Sequence, residues 1–203
     1  MAPAPPGAPL TFIGLTGGIG AGKSEALAAF GRLGAATLST DAVVHELLGT
    51  AELREQIAGR FGADVVREGA LDRDALAGKV FESAEAREWL EGLLWPRVGE
   101  RVVAWRTGVE AMEPPPPVAV VEVPLLFEAG MEGGFDHTIA VVADEAVRAE
   151  RAGSRGHQGL EARTGRQLTQ DEKAQRADFP VRNDGTPEEL KAELSRILAT
   201  ITT

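Results

Sequence analysis

Residues 14–25 read GLTGGIGAGKSE. Before them runs the apolar, β-branched LTFI of residues 10–13, and LTFIGLTG as a whole has the character of a strand buried on both faces of a parallel sheet. After them, KSEALAAFGRLG places Leu27, Phe30 and Leu33 at helical spacing and stops at Gly34. A strand that enters a glycine loop and a helix that leaves it form the setting in which backbone N–H groups turn inward around phosphate oxygens. The spacing Gly17-x4-Gly22-Lys23-Ser24 fits that use. The candidate residues around a nucleoside triphosphate are Gly17, Gly18, Ile19, Gly20, Ala21, Gly22, Lys23, Ser24 and Glu25. Lys23 reaches the β and γ phosphates as a point charge, and the Ser24 hydroxyl is the candidate ligand of Mg2+.

Outward from this loop the pattern alternates. AATLST predicts a second short strand, and DAVVHELL predicts a helix capped by Ser39 or Thr40. Residues 50–112 read as a charged, mostly helical excursion broken at Gly59, Gly62 and Gly69, with Pro96 in the first turn of a helix. The prolines of EPPPPVAVVEV form a stiff loop before a central strand. FDHTIAVVA is a further strand and DEAVRAERAGSRG an arginine-rich helix. A polar helix over 160–176, a short strand in ADFPVRNDG and a capped final helix complete the chain. Strands alternating with helices imply a three-layer α/β/α fold around a parallel central sheet.

Composition limits the partners. The 203-residue chain carries 31 acidic and 21 basic residues, a formal net charge of −10, and lacks cysteine and tyrosine. Such a charge repels nucleic acid in general, and scarce aromatics give no stacking platform. No stretch reaches the about 18 apolar residues that read as a membrane span. The opening MAPAPPGAPL lacks the charged and apolar regions of a secretory leader and reads as a flexible tail over 1–9. A cytoplasmic protein without nucleic-acid or membrane partners is the expectation. The three histidines are scattered and no thiol exists, so a zinc site has no support. No guanine-reading Asn/Thr-Lys-x-Asp motif is present.

Three features bear on chemistry. Asp41 follows the second strand, at the carboxyl edge where ligands sit in doubly wound sheets. It fits a base that accepts a proton from an acceptor hydroxyl, and equally a charge that complements a helix N-terminus. His45 lies one turn on and pairs with Asp41 or stands solvated. Arg148, Arg151 and Arg155 share one helix face ahead of Gly153, Gly156 and Gly159. They suit a lid over a triphosphate, or a solvated face paired with its acidic neighbours. Glu122 ends an apolar strand, where a carboxylate holds Mg2+ through water or serves packing.

The chain resembles the dephospho-CoA kinase family over residues 12–198. The resemblance is carried by GLTGGIGAGKS, TDAVVHEL, GALDRDALAGKVF, VEVPLLFEAG and ARTGRQLTQDEKAQRADFPVRNDG, in that order. The last holds Arg163, Gln167, Lys173, Asp178, Asn183 and Gly185 of the family pattern. The resemblance implies a P-loop kinase with three parts inside one unit over 10–203. These are a core of 10–41, 117–143 and 177–203, a helical substrate-binding part of 42–112, and an arginine-bearing lid of 144–170. It implies transfer of the γ-phosphate of ATP, with Mg2+, to the ribose 3′-hydroxyl of dephospho-CoA, giving coenzyme A and ADP. Asp41, Lys23, Arg151 and Arg155 would be catalytic, and Thr16, Asp41, His45, Pro124, Leu125 and Arg163 would contact the acceptor. The Asn183–Gly185 loop is a candidate adenine reader by the same analogy, or an ordinary turn.

Four positions depart from the pattern. Ser39 replaces a second aspartate, Glu25 a threonine, Trp95 a histidine and Arg148 a glutamine. None removes the minimal machinery. Other P-loop kinases and a non-catalytic nucleotide binder are the remaining alternatives, separated by acceptor specificity and by turnover.

Overall fold

In the computed structural model, which describes residues 9–153 and 167–202, the glycine loop lies between β1 (Thr11–Gly17) and α1 (Lys23–Arg32). There follow β2 (Ala36–Ser39), α2 (Thr40–Leu48), α3 (Ala51–Phe61), β3 (Val66–Arg67), β4 (Ala70–Leu71), α4 (Arg73–Glu82) and α5 (Ala84–Glu110). The chain then forms β5 (Val118–Glu122), β6 (His137–Val142), α6 (Glu145–Gly153), α7 (Gln170–Arg176), β7 (Phe179–Arg182) and α8 (Pro187–Ile201). Two compact units result: Met1–Ser39 with Trp105–Thr203, and Thr40–Ala104.

The first unit is built on a parallel sheet in the order β2-β5-β1-β6-β7. The strand that follows β1 in sequence lies two places away, and β5 fills the slot between. Every residue of β5 is buried, which explains the unbroken apolar run VAVV: a strand covered on both faces has no solvent side to alternate with. Pro180 is tolerated because β7 is an edge strand. The core joins Ile13, Leu15, Val120 and Ile139 of the sheet to Ala26, Ala29 and Phe30 of α1 and Leu190, Leu194 and Leu198 of α8. The final helix starts on a capping box, with Thr186 accepting from Glu189 N–H and Glu189 accepting from Thr186 N–H.

The second unit is helical except for one small hairpin. Thr50 caps α3 by accepting from Leu53 N–H, and Asp72 caps α4 by accepting from Asp74 and Ala75 N–H. Val43, Leu47, Leu53, Ile57 and Val65 are buried, and Phe61 meets Trp89 edge-on at 5.5 Å.

Three expectations need correction. Within the described residues the polar helix expected over 160–176 starts only at Gln170, where the Thr169 capping box begins it. The β3–β4 hairpin was not foreseen in a stretch read as helical: Glu68 and Gly69 form its two-residue turn with φ of 52° and 80°. Strands of two residues leave too little periodicity to detect, and glutamate is not a signal for such a turn. Pro96 lies inside α5, not in a first turn. The carbonyl of Gly92 loses its N–H partner there, and the Arg97 guanidinium reaches back to Leu93 O at 2.9 Å beside it.

Candidate active site

The loop from Gly17 to Gly22 carries the glycines where the backbone needs them. A Cβ on Gly17 would lie 2.3 Å from Val141 O, so the loop leaves β1 against β6 with no space for a side chain. Gly22 has φ 98°, and a Cβ there would fall 2.1 Å from Asn183 Nδ2. Gly22 is also the N-cap of α1, with Lys23 and Ser24 in the first turn. That helix therefore presents its unpaired N–H groups and positive dipole end to the loop. Lys23 Nζ donates to Gly18 O at 3.1 Å, which holds the ammonium over the loop. The Ser24 side chain is exposed.

Neighbouring elements grip the loop from outside. Arg148 Nε donates to Ile19 O at 2.9 Å, and Asn183 Nδ2 donates to Ala21 O at 2.8 Å. Arg151 Nη1 donates to Asn183 O at 2.9 Å. Gln170 clamps the end of β6, accepting from Ala143 N–H at 2.9 Å and donating to Ala143 O at 2.8 Å. Its side chain also packs beside Gly18. The arginines of α6 thus join the glycine loop and the turn after β7. Arg155 and Arg163, expected in the lid and at the acceptor, lie outside the described residues.

The loop after β5 is pinned as well. Pro124 O accepts from Thr16 Oγ1 at 3.2 Å and from Lys173 Nζ at 2.7 Å. Lys173 pairs with Glu128 at 2.8 Å, and Glu128 Oε1 also accepts from Leu168 N–H at 2.9 Å. Thr16 is fully buried, so its hydroxyl is a strut between β1 and this loop. Pro124 and Leu125 are partly exposed. Asp178 ties β6 down by accepting from Thr138 N–H at 2.7 Å and Thr138 Oγ1 at 2.8 Å. Asp41 and His45 belong to the second unit. Asp41 is exposed in the first turn of α2, two residues beyond the end of β2, and His45 contacts Arg73 through Nδ1.

Glu25 adds less negative charge than its sequence position suggests, because Arg32 meets it at 2.6 Å. Among the described residues no group of three His, Cys, Asp or Glu side chains forms a metal site. The hard oxygens that these elements offer are the Ser24 hydroxyl in the first turn of α1 and the buried Glu122 carboxylate at the end of β5, donors of the type that suits Mg2+.

A strand, a glycine loop gripped through its carbonyls and a helix carrying Lys23 make a phosphate site, and relatives decide its kind. The family model for dephospho-CoA kinase matches residues 11–189. The chain belongs to the dephospho-CoA kinase family. A dephospho-CoA kinase of Anaeromyxobacter dehalogenans is 40% identical over 198 residues, covering 94% of this chain and 92% of the relative. A dephospho-CoA kinase of Chlamydia pneumoniae is 34% identical, covering 91% and 93%. Among solved structures, TT1252 from Thermus thermophilus is 33% identical at a TM-score of 0.78, covering 96% of this chain and 99% of that one. The dephospho-CoA kinase of Campylobacter jejuni is 25% identical at 0.68, covering 94% and 96%. Shikimate kinase of Aquifex aeolicus, 17% identical at 0.50, shares the fold. The expected fold and the expected family are thereby borne out.

Several family-pattern residues have a part that sequence reading missed. Lys173, Asp178 and Asn183 were recognised as pattern positions, and each holds a loop or strand by a hydrogen bond to backbone. Arg148, by its sequence a lid cation or an exposed residue, bonds the loop itself. No local signal marks these partners.

Proposed function

We propose that this protein transfers the γ-phosphate of ATP to the ribose 3′-hydroxyl of dephospho-CoA, giving coenzyme A and ADP, the last step of coenzyme A biosynthesis. One observation carries the reading: the dephospho-CoA kinase family model spans 11–189 and takes in an intact Gly17–Ser24 loop. A bond forms between the ribose 3′-oxygen and the γ-phosphorus. The bond from that phosphorus to the β–γ bridging oxygen breaks, and ADP leaves with the electron pair.

The N–H groups of residues 18–24, other than that of Ala21, which donates to Gly18 O at 3.2 Å, bind the phosphate oxygens and fix the line of transfer. Lys23 places its charge on the β and γ phosphates, where negative charge spreads in a loose transition state. Asp41 accepts the hydroxyl proton. Ser24 and Glu122 would hold Mg2+ arriving with the phosphates, and the ion would supply charge neutralisation during transfer. In this reading Arg151 and Arg155 serve as lid cations, as the family resemblance implies, and the helical part of 42–112 serves the acceptor with His45. Pro124, Leu125 and Arg163 complete the acceptor contacts, with Thr16 acting through Pro124.

The setting is cytoplasmic. No helix among the described residues is long and apolar enough to cross a membrane. The net charge of −10 disfavours nucleic acid. ADP release from Mg·ATP is the test. Release that depends on added dephospho-CoA supports the reading; ADP release unaffected by the acceptor, or none at all, refutes it.

A further inference from the structure

Two carbonyl groups of the glycine loop are held by residues far away in the chain. Ile19 O takes Arg148 Nε at 2.9 Å, across 129 positions, and Ala21 O takes the buried Asn183 Nδ2 at 2.8 Å, across 162. Asn183 is fixed in turn. Its N–H donates to Val142 O at 2.8 Å, and its carbonyl takes Arg151 Nη1 at 2.9 Å. A trans peptide unit is planar, with C=O and N–H pointing in opposite directions. Holding Ile19 O therefore aims the Gly20 N–H away from Arg148, and holding Ala21 O aims the Gly22 N–H away from Asn183. Gly20 and Gly22 have φ of 76° and 98°. Glycine crosses between backbone regions at little cost, so these peptide planes need an outside hold to keep one orientation.

We propose that Asn183 and Arg148 are positioning residues of the phosphate cradle. Each fixes one loop carbonyl so that the N–H of the same peptide unit faces the nucleotide phosphates. Arg151 steadies Asn183 from behind. Arg148 works here as a hydrogen-bond donor, not as a charge on the phosphates, and Asn183 works on the loop, not on the adenine. The proposal rests on the reading of the loop as the ATP cradle.

Variants separate these roles. In Arg148→Gln the amide nitrogen stands at the same place along the side chain as Nε, so the donor survives without the charge. Arg148→Met removes both. Asn183→Asp keeps the shape and turns a carboxylate oxygen toward Ala21 O; Asn183→Ala removes the group. ADP binding is measured by calorimetry for each full-length variant, beside its Tm and its KM for ATP, GTP and dephospho-CoA. Loss of about tenfold in ADP affinity is expected for Arg148→Met, Asn183→Ala and Asn183→Asp, the scale of one loop carbonyl losing its donor. Arg148→Gln is expected to bind as the parent does. The KM for dephospho-CoA and the preference for ATP over GTP are expected to stay unchanged. Arg148→Gln as weak as Arg148→Met would make the charge the working part and overturn the role of Arg148. A changed ATP to GTP preference in the near-isosteric Asn183→Asp would make Asn183 a base reader and overturn its role. Undiminished ADP affinity in all four would overturn the proposal while leaving the kinase reading intact. A parent protein that binds no ADP would overturn both.

Discussion

Lys173 Nζ lies 2.8 Å from Glu128 Oε1 and 2.7 Å from Pro124 O, and none of the lysine side chain reaches solvent. The pair joins α7 to the loop after β5, and through Pro124 O to Thr16 of β1. Lysine and glutamate are seldom buried unless paired. Here Glu128 Oε1 takes both Lys173 Nζ and Leu168 N–H, while its Oε2 is buried with no hydrogen-bond partner among the described residues.

Breaking that pair leaves a carboxylate buried without its cation. Lys173→Met is expected to destabilise the protein by about 3 kcal/mol, the lower part of the usual range for one lost partner. At about 2–4 °C per kcal/mol for a chain of this size, Tm falls by about 6–12 °C. The double variant Lys173→Met with Glu128→Leu is expected to recover most of the loss, since two apolar groups replace two charges. Thermal unfolding of the three proteins decides it. A single variant as stable as the parent would show that the pair holds nothing together.

Lys23→Ala is expected to raise the KM for ATP and to lower kcat together. The ammonium meets the phosphates in the ground state and more strongly as charge develops during transfer. Steady-state kinetics with ATP varied at saturating acceptor reads both. Unchanged kinetics would contradict the cradle.

Asp41→Asn is expected to leave the KM for ATP near the parent value and to lower turnover by at least about tenfold, the lower side of what a general base contributes. Equal turnover would remove Asp41 from the catalytic residues and leave it as a helix-end charge.

The cap of α7 carries an acid-limb signature. Thr169 backbone N–H and hydroxyl donate to Glu172, and these bonds hold its carboxyl below its ordinary value of 4.5. A depressed carboxyl stabilises the fold above the unfolded value and loses that contribution as pH falls through the folded one. The stability difference between parent and Glu172→Gln is therefore expected to hold steady down to about pH 5 and to shrink as pH falls below the ordinary value of 4.5, to about pH 3. Urea unfolding at each pH measures it. A difference constant over that range would assign the cap to the hydrogen bond alone.

The loop and the sheet were legible because their signals are local. Gly17-x4-Gly22-Lys23-Ser24 is contiguous, and VAVV or TIAVV is apolar because its strand is covered on both faces. The β3–β4 hairpin was not legible, since two-residue strands have no period to read. Pro96 was not legible as an interior position, because nothing local separates a first-turn proline from one inside a long helix. The braces of the site were illegible for a different reason. Asn183 and Ala21 are 162 positions apart, Arg148 and Ile19 are 129 apart, and only the folded sheet brings each donor to its carbonyl. Thr16 was expected to face the acceptor and spends its hydroxyl on Pro124 O, a contact 108 positions away.

The most direct measurement is product analysis with competing acceptors. The parent protein is given Mg·ATP with dephospho-CoA, gluconate, shikimate, AMP and CMP in separate reactions, and each product is identified by mass and by the position of its new phosphate. Coenzyme A formed from dephospho-CoA, with the phosphate on the ribose 3′-oxygen and no product from the others, is the expected result. Phosphorylation of another acceptor with dephospho-CoA left untouched would contradict the account.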